Sequence, residues 1–204
     1  MSETRYPPDR PFRSLTENLV RRGNETSTLV ANVPNFLSRE ECARVVAAAE
    51  RAGGHQGVVG VKDPAVAPIR QSEVRFFYPD ASTAWLFDKL DQATSALNRN
   101  YRFDLQGFFE GVQVASYSGG GHYGWHMDVG QGVVSTRKLS ISVQLSDPAD
   151  YEGGELEFLA SGDCGPRTQG TLIAFPSFLV HRVRPVTRGT RWSLVSWVAG
   201  PSFR

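Results

Sequence analysis

The chain carries two hydrophobic rhythms. From Ser38 the period is helical: Ser38 and Glu41 are spaced as a capping box, Cys42, Val45, Val46 and Ala49 follow on one face, and Gly53-Gly54 stops the run. Trp85, Leu86, Leu90, Ala93 and Leu97 predict a second amphipathic helix. Leu29 to Phe36 and Ser72 to Tyr78 read as strands. Between Gly53 and Gln71, four Gly and two Pro without periodicity predict a long loop, the kind of segment that often binds or covers a ligand.

Beyond Phe103 the rhythm shortens. Runs at Phe108–Tyr117, Tyr123–Val129, Leu139–Leu145, Leu156–Leu159, Thr171–Phe175, Phe178–Val183 and Arg191–Val198 are broken by Gly, Pro and Asp. Short strands at such spacing predict an antiparallel sandwich or barrel. The expected fold class is α+β: a jelly-roll core (a double-stranded β-helix) over about residues 103–200, with N-terminal helices packed on it. Residues 1–27 are polar and proline-bearing and read as a lead-in, leaving residues 28–204 as a single domain.

Composition narrows the function classes. Among 204 residues, 40% are hydrophobic and 21% charged, ordinary for a globular chain. The net charge of +1 provides no whole-molecule attraction to nucleic acid or to an anionic membrane. No stretch approaches the roughly 20 apolar residues of a membrane span. The two cysteines, Cys42 and Cys164, cannot form a disulfide framework or a four-thiolate zinc site, so a reducing cytoplasm is the simplest location. The charge is unevenly placed: six Arg and no acid lie between Cys164 and Arg204, and six acids and no base between Asp147 and Asp163.

Four histidines are present: His55, His122, His126 and His181. His126-Met127-Asp128 falls in a predicted strand, where residues two apart share a face, so imidazole and carboxylate can reach one metal ion. His181 lies in a separate strand that a sandwich can bring alongside. Two His and one carboxylate on one face of an octahedron are the ligand set of non-haem Fe(II) oxygenases. The tripeptide alone is equally an ordinary hydrogen-bonded strand segment; its surroundings decide between the two.

Those surroundings resemble the prolyl 4-hydroxylase-like branch of the 2-oxoglutarate and Fe(II)-dependent dioxygenases. Tyr117-x-x-Gly120-x-x-Tyr123-x-x-His126-x-Asp128 matches that family's pattern at every position. Asp150-Tyr151-Glu152-Gly153-Gly154-Glu155-Leu156 resembles its glycine-glycine-acid turn. His181-Arg182-Val183, Pro185-Val186 and Arg191, ten residues beyond His181, follow in family order. The resemblance implies that His126, Asp128 and His181 hold Fe(II), with no catalytic side chain beyond these ligands. It implies 2-oxoglutarate and O2 as co-substrates, ascorbate in support, and a hydroxylation that releases succinate and CO2. Arg191 would anchor the far carboxylate of 2-oxoglutarate through its planar fork, with Arg188 the less favoured substitute.

Tyr117 would bond the co-substrate, or else end a strand as a plain aromatic. Ser140, Ser142 and Gln144 share one face, which lines the site or faces solvent; Gln144 stands near a position where some relatives bind the co-substrate. Trp197 is pocket wall or core. Substrate contacts are expected from Arg137, His122, Tyr123 and Arg70, with Arg75 a further basic candidate. The substrate would be a prolyl or amino-acid type molecule, peptidyl or free. Many prolyl 4-hydroxylases carry Lys at the anchor, so Arg191 weakens a collagen-type assignment. A cupin-like metal or 2-oxoglutarate sensor is the alternative, but a bare metal site needs no dicarboxylate anchor. A structural jelly roll would leave the triad a coincidence, and a zinc hydrolase would leave the His181–Arg191 spacing without a reason.

Overall fold

The computed structural model describes residues 29–57 and 69–203; the lead-in of residues 1–27 and the middle of the Gly53–Gln71 segment lie outside these. After strand β1 (Ala31–Val33), helix α1 runs from Arg39 to Ala52. Its start follows from the capping box: the Glu41 amide donates to Ser38 Oγ at 3.2 Å, and the Ser38 amide donates to Glu41 Oε2 at 2.8 Å. Both satisfy amides that a helix N-terminus otherwise leaves unpaired. Gly53, at φ 70°, ends it. Glu41 also receives Lys89 Nζ at 2.7 Å from helix α2 (Ala84–Tyr101), tying the two helices together.

Between the helices lie β2 (His55–Gln56), β3 (Arg70–Gln71) and β4 (Glu73–Phe77). The expected long loop thus carries a two-residue strand at each end. Elements this short are set by their neighbours and have no period of their own to read. The roll follows: β5 (Val112–Ser118), β6 (His122–His126), β7 (Arg137–Gln144), β8 (Tyr151–Gly153), β9 (Leu156–Phe158), β10 (Leu172–Pro176), β11 (His181–Val183) and β12 (Val186–Ala199). The larger sheet has the order β1-β10-β7-β12-β5-β4-β2, with β8 paired to β12, and the smaller has the order β3-β6-β11-β9. All strand pairings are antiparallel.

Each face of the larger sheet has its own core. Outward, Val112, Val114, Leu139, Ile141, Val143, Leu172, Ala174 and Leu194 pack with Cys42, Val45, Ala49, Leu86 and Leu90 of the two helices. Inward, Ala115, Tyr117, Ile173 and Phe175 meet Leu156, Phe158, Leu179 and Val183 of the smaller sheet and its edges. β7 settles the orientation of its polar face: Leu139, Ile141 and Val143 fill the helix side, so Ser140, Ser142 and Gln144 must point into the roll, where all three are buried. A buried polar row is expensive unless it has partners. Among the described residues no helix is long and apolar enough to cross a membrane.

Candidate functional site

His126 and His181 are direct partners across the β6–β11 ladder, which puts both imidazoles on the inner face with ring centroids 4.2 Å apart. Each Nδ1 lies against a backbone carbonyl, His126 at 2.8 Å from Gly124 O and His181 at 2.9 Å from Leu179 O. A carbonyl only accepts, so Nδ1 carries the proton and the bare Nε2 faces the centre. From there Asp128 Oδ1 is 3.7 Å from His126 Nε2, and Oδ2 is 3.7 Å from His181 Nε2. The ligand atoms of the three residues all lie within 4.8 Å of one another.

Strand alternation is not what delivers Asp128. β6 stops at His126, and Asp128 sits past its end. The Asp128 and Val129 amides both donate to Ser177 O, at 2.9 and 3.1 Å, and Arg137 Nη1 donates to Asp128 O at 3.1 Å. The carboxylate is then oriented by Ser140 Oγ, which donates to Oδ2 at 2.6 Å and lies 2.9 Å from Ser177 Oγ. Burial opposes ionisation of Asp128, but His181, His126 and the Ser140 bond outweigh it and hold the carboxyl well below its usual range. Burial pushes His181 below its ordinary value, against the pull of Asp128. An ionised carboxylate and an unprotonated imidazole are the forms that bind a metal. Two imidazoles and one carboxylate on one side of a cavity fit a divalent transition metal with positions left open, as in the facial triad of non-haem iron enzymes.

The triad lies in a cavity of about 480 Å³ whose wall includes Arg70, Gln113, Tyr117, Tyr123, Ser142, Arg191, Ser193, Val195 and Trp197. Arg191 is 1% exposed. Its Nη2 donates to Gln144 Oε1 at 3.0 Å and its Nη1 to Ser193 Oγ at 3.3 Å, while Nε has no partner. The guanidinium carbon is 5.6 Å from the Tyr117 ring centroid. Among the described residues no carboxylate pairs with it. A buried cation held by neutral groups in a cavity is a receptor for an anion. The turn before β9 leaves it room: at Gly154, φ 68°, a Cβ would meet Arg191 Cδ at 2.8 Å. Arg188 is spent on the surface, with Nε 2.8 Å from Glu152 Oε1.

The other expected contacts separate. Gln144 does not line the cavity; it bonds Arg191 and donates from Nε2 to Pro166 O at 3.1 Å, so it positions the guanidinium. Tyr123 lines the cavity and stacks on His126, with centroids 3.5 Å apart. A bulge in the β6–β11 register between the His181 and Val183 pairings puts residues three apart on one face. His122 is not among the lining residues; its Nδ1 lies 3.0 Å from Gly120 O. Arg137 lines the cavity mouth but is clamped by Glu110, Nε to Oε1 at 2.6 Å, and lies over the Trp197 ring. Arg75 points away, to Glu73 and Ser116. Ser177, Ser193 and Gln113 escaped the sequence reading, having neither an unusual spacing nor a charge to mark them.

The model of the 2OG-Fe(II) oxygenase superfamily matches residues 112–199, from the first residue of β5 to the last of β12. A PKHD-type hydroxylase of Idiomarina loihiensis is 36% identical over 131 residues, 61% of this chain and 58% of the relative. One from Synechococcus sp. (strain JA-2-3B'a(2-13)) is 35% identical over 113 residues, 51% of this chain and 50% of the relative. The chain thus spans between half and three fifths of the length of these relatives. A solved prolyl-4-hydroxylase of Pseudomonas putida superposes with a TM-score of 0.67 at 23% identity, over 90% of this chain and 100% of its own. A prolyl hydroxylase from Trichoplax adhaerens, solved with a hypoxia inducible factor peptide fragment, gives 0.67 at 18%, over 94% of each chain. The fold is therefore that of the prolyl hydroxylases, and the segment that matches the 2OG-Fe(II) oxygenase superfamily model, residues 112–199, contains His126, Asp128, His181 and Arg191.

Proposed function

We propose that the protein is an Fe(II)- and 2-oxoglutarate-dependent hydroxylase acting on an unactivated C–H bond of a prolyl or amino-acid type substrate, free or peptidyl. The observation that carries this reading is a single cavity holding both the His126/Asp128/His181 cluster and the acid-free Arg191. His126 Nε2, His181 Nε2 and Asp128 would hold the iron. When bound, iron and 2-oxoglutarate supply an oxidative decarboxylation to succinate and CO2 that places one oxygen atom of O2 into the substrate C–H bond. The protein's own part is positioning. Nδ1–H bonds to Gly124 and Leu179 select the neutral tautomer that turns the Nε2 lone pairs toward the centre, and Ser140 fixes the carboxylate.

Arg191 takes the distal carboxylate of the co-substrate, with Gln144 and Ser193 holding its plane and Tyr117 alongside. Leu156, Phe175, Val183 and Val195 give the cavity apolar walls that keep water from the reacting centre. Succinate formation from 2-oxoglutarate, with Fe(II) and ascorbate under air, tests the proposal. We expect turnover that rises with an amino-acid or peptide substrate and disappears in His126→Ala. Metal and 2-oxoglutarate binding without any succinate, coupled or uncoupled, would instead make the protein a sensor and overturn the enzyme reading.

A further inference from the structure

The cavity contains one more cation than the chemistry above consumes. Among the described residues its lining includes three guanidiniums, Arg70, Arg137 and Arg191, and one carboxylate, Asp128. Glu110 cancels the charge of Arg137. A divalent metal, the Asp128 carboxylate, a dianionic co-substrate and Arg191 sum to zero. Arg70 is left over. It is 8% exposed, and among the described residues it pairs with no carboxylate. Its partners are neutral: Nε donates to Ser72 Oγ at 2.7 Å, and Nη1 reaches Gln113 Oε1 only at 3.5 Å.

A buried charge without a counter-charge is costly, so retaining one at a cavity wall requires a ligand that supplies the opposite sign. The placement is specific. Arg70 lies 4.8 Å over the Tyr123 ring, whose other neighbour, at 3.5 Å between centroids, is the imidazole of His126. An anion on Arg70 would thus sit one aromatic ring away from the metal ligands. Gly57 lets the chain pack closely beside this guanidinium, since a Cβ there would meet Ser72 Oγ at 2.8 Å, Val74 Cγ1 at 3.0 Å and Arg70 Nε at 3.1 Å.

We propose that Arg70 is a specificity-determining residue that binds a carboxylate of the primary substrate, and that the substrate is therefore an acid: a free amino acid held by its α-carboxylate, or a peptide held by an Asp or Glu side chain. The inference rests on reading the cavity as an Fe(II)/2-oxoglutarate site. A cavity of about 480 Å³ that must also take the co-substrate favours a compact molecule.

The test is calorimetry on the full chain, anaerobic and loaded with Mn(II) and 2-oxoglutarate, titrated with matched pairs. One arm compares free L-amino acids with their carboxamides; the other compares short peptides containing Asp or Glu with the Asn or Gln versions. At least one acid binds tenfold or more tightly than its amide, and Arg70→Gln reduces that preference to about threefold or less. The arm in which the preference appears identifies the source of the carboxylate. Arg70→Lys, which keeps the charge but loses the fork, retains part of the preference and serves if the Gln variant does not fold. Equal binding of acids and amides across both arms overturns the proposal. So does a loss of 2-oxoglutarate affinity in Arg70→Gln as large as that in Arg191→Gln, which would make Arg70 a second co-substrate anchor. If metal-loaded wild type does not bind 2-oxoglutarate at all, the reading beneath the inference fails, and that result is distinguishable from the other two.

Discussion

Replacing Arg191 by Met removes the charge and the fork while keeping most of the volume. For 2-oxoglutarate the loss is that of one partner from a buried, hydrogen-bonded charge pair, about 2–5 kcal/mol. At 1.4 kcal/mol per tenfold, this is a loss in affinity of about 30-fold to about 4,000-fold. For stability the signs oppose. The ligand-free protein is relieved of a buried cation that no acid neutralises, but Gln144 Oε1 and Ser193 Oγ lose their donor. Each effect is worth about 1–3 kcal/mol, so most of it cancels. Since 1 kcal/mol moves the Tm of a chain this size by roughly 2–4 °C, the melt should shift by no more than about 4 °C. Anaerobic calorimetry of the Mn(II)-loaded variant gives the first quantity and a thermal melt the second. Unchanged 2-oxoglutarate affinity together with a Tm lowered by 10 °C or more would make Arg191 a structural residue, and the reasoning would be wrong.

Ser140→Ala should lower metal affinity by about 10- to 100-fold through loss of the bond that orients Asp128, with little change in fold; equal affinity in a competition titration with a chelator would refute the role. Gly154→Ala should weaken 2-oxoglutarate binding by tenfold or more while leaving metal affinity intact, because its Cβ would be driven onto the Arg191 side chain. Burial raises the Cys42 thiol to about 11 and the Tyr101 and Tyr123 hydroxyls to about 12. The unfolded chain therefore loses these protons first, so stability is full below pH 9 and falls as pH rises toward 12; urea melts that stay level from pH 8 to 11 would contradict this. In the same range a thiol reagent should modify the exposed Cys164 and spare the buried Cys42 until the chain unfolds, as peptide mapping would report.

Much of this site could be read from residue order, for identifiable reasons. Ser38 and Glu41 mark the start of α1 because a capping box is a local device, complete within four residues. His126, Asp128, His181 and Arg191 were legible as a set through the family resemblance that their order and spacing carry, and the fold brings all four to one cavity. The reason first assigned to Asp128 was nonetheless mistaken: Ser177 O, in the turn before β11, holds it, and β6 has already ended. Contacts between distant segments left no trace in the sequence. Nothing near Arg137 announces that Glu110, 27 residues earlier, will neutralise it. Nothing near Arg70 announces that no described acid will. The direction of the Ser140, Ser142 and Gln144 face depended on which side of β7 the helices cover, which alternation alone leaves open.

The central claim is that the triad and Arg191 act as one site for a metal and a dicarboxylate. Its most direct test is anaerobic calorimetry of 2-oxoglutarate into the protein with and without Mn(II), for wild type and Asp128→Ala. The account predicts one equivalent bound by wild type only when the metal is present, and none detectable in Asp128→Ala under either condition. Equal 2-oxoglutarate binding with and without metal, or undiminished metal-dependent binding in Asp128→Ala, would contradict it.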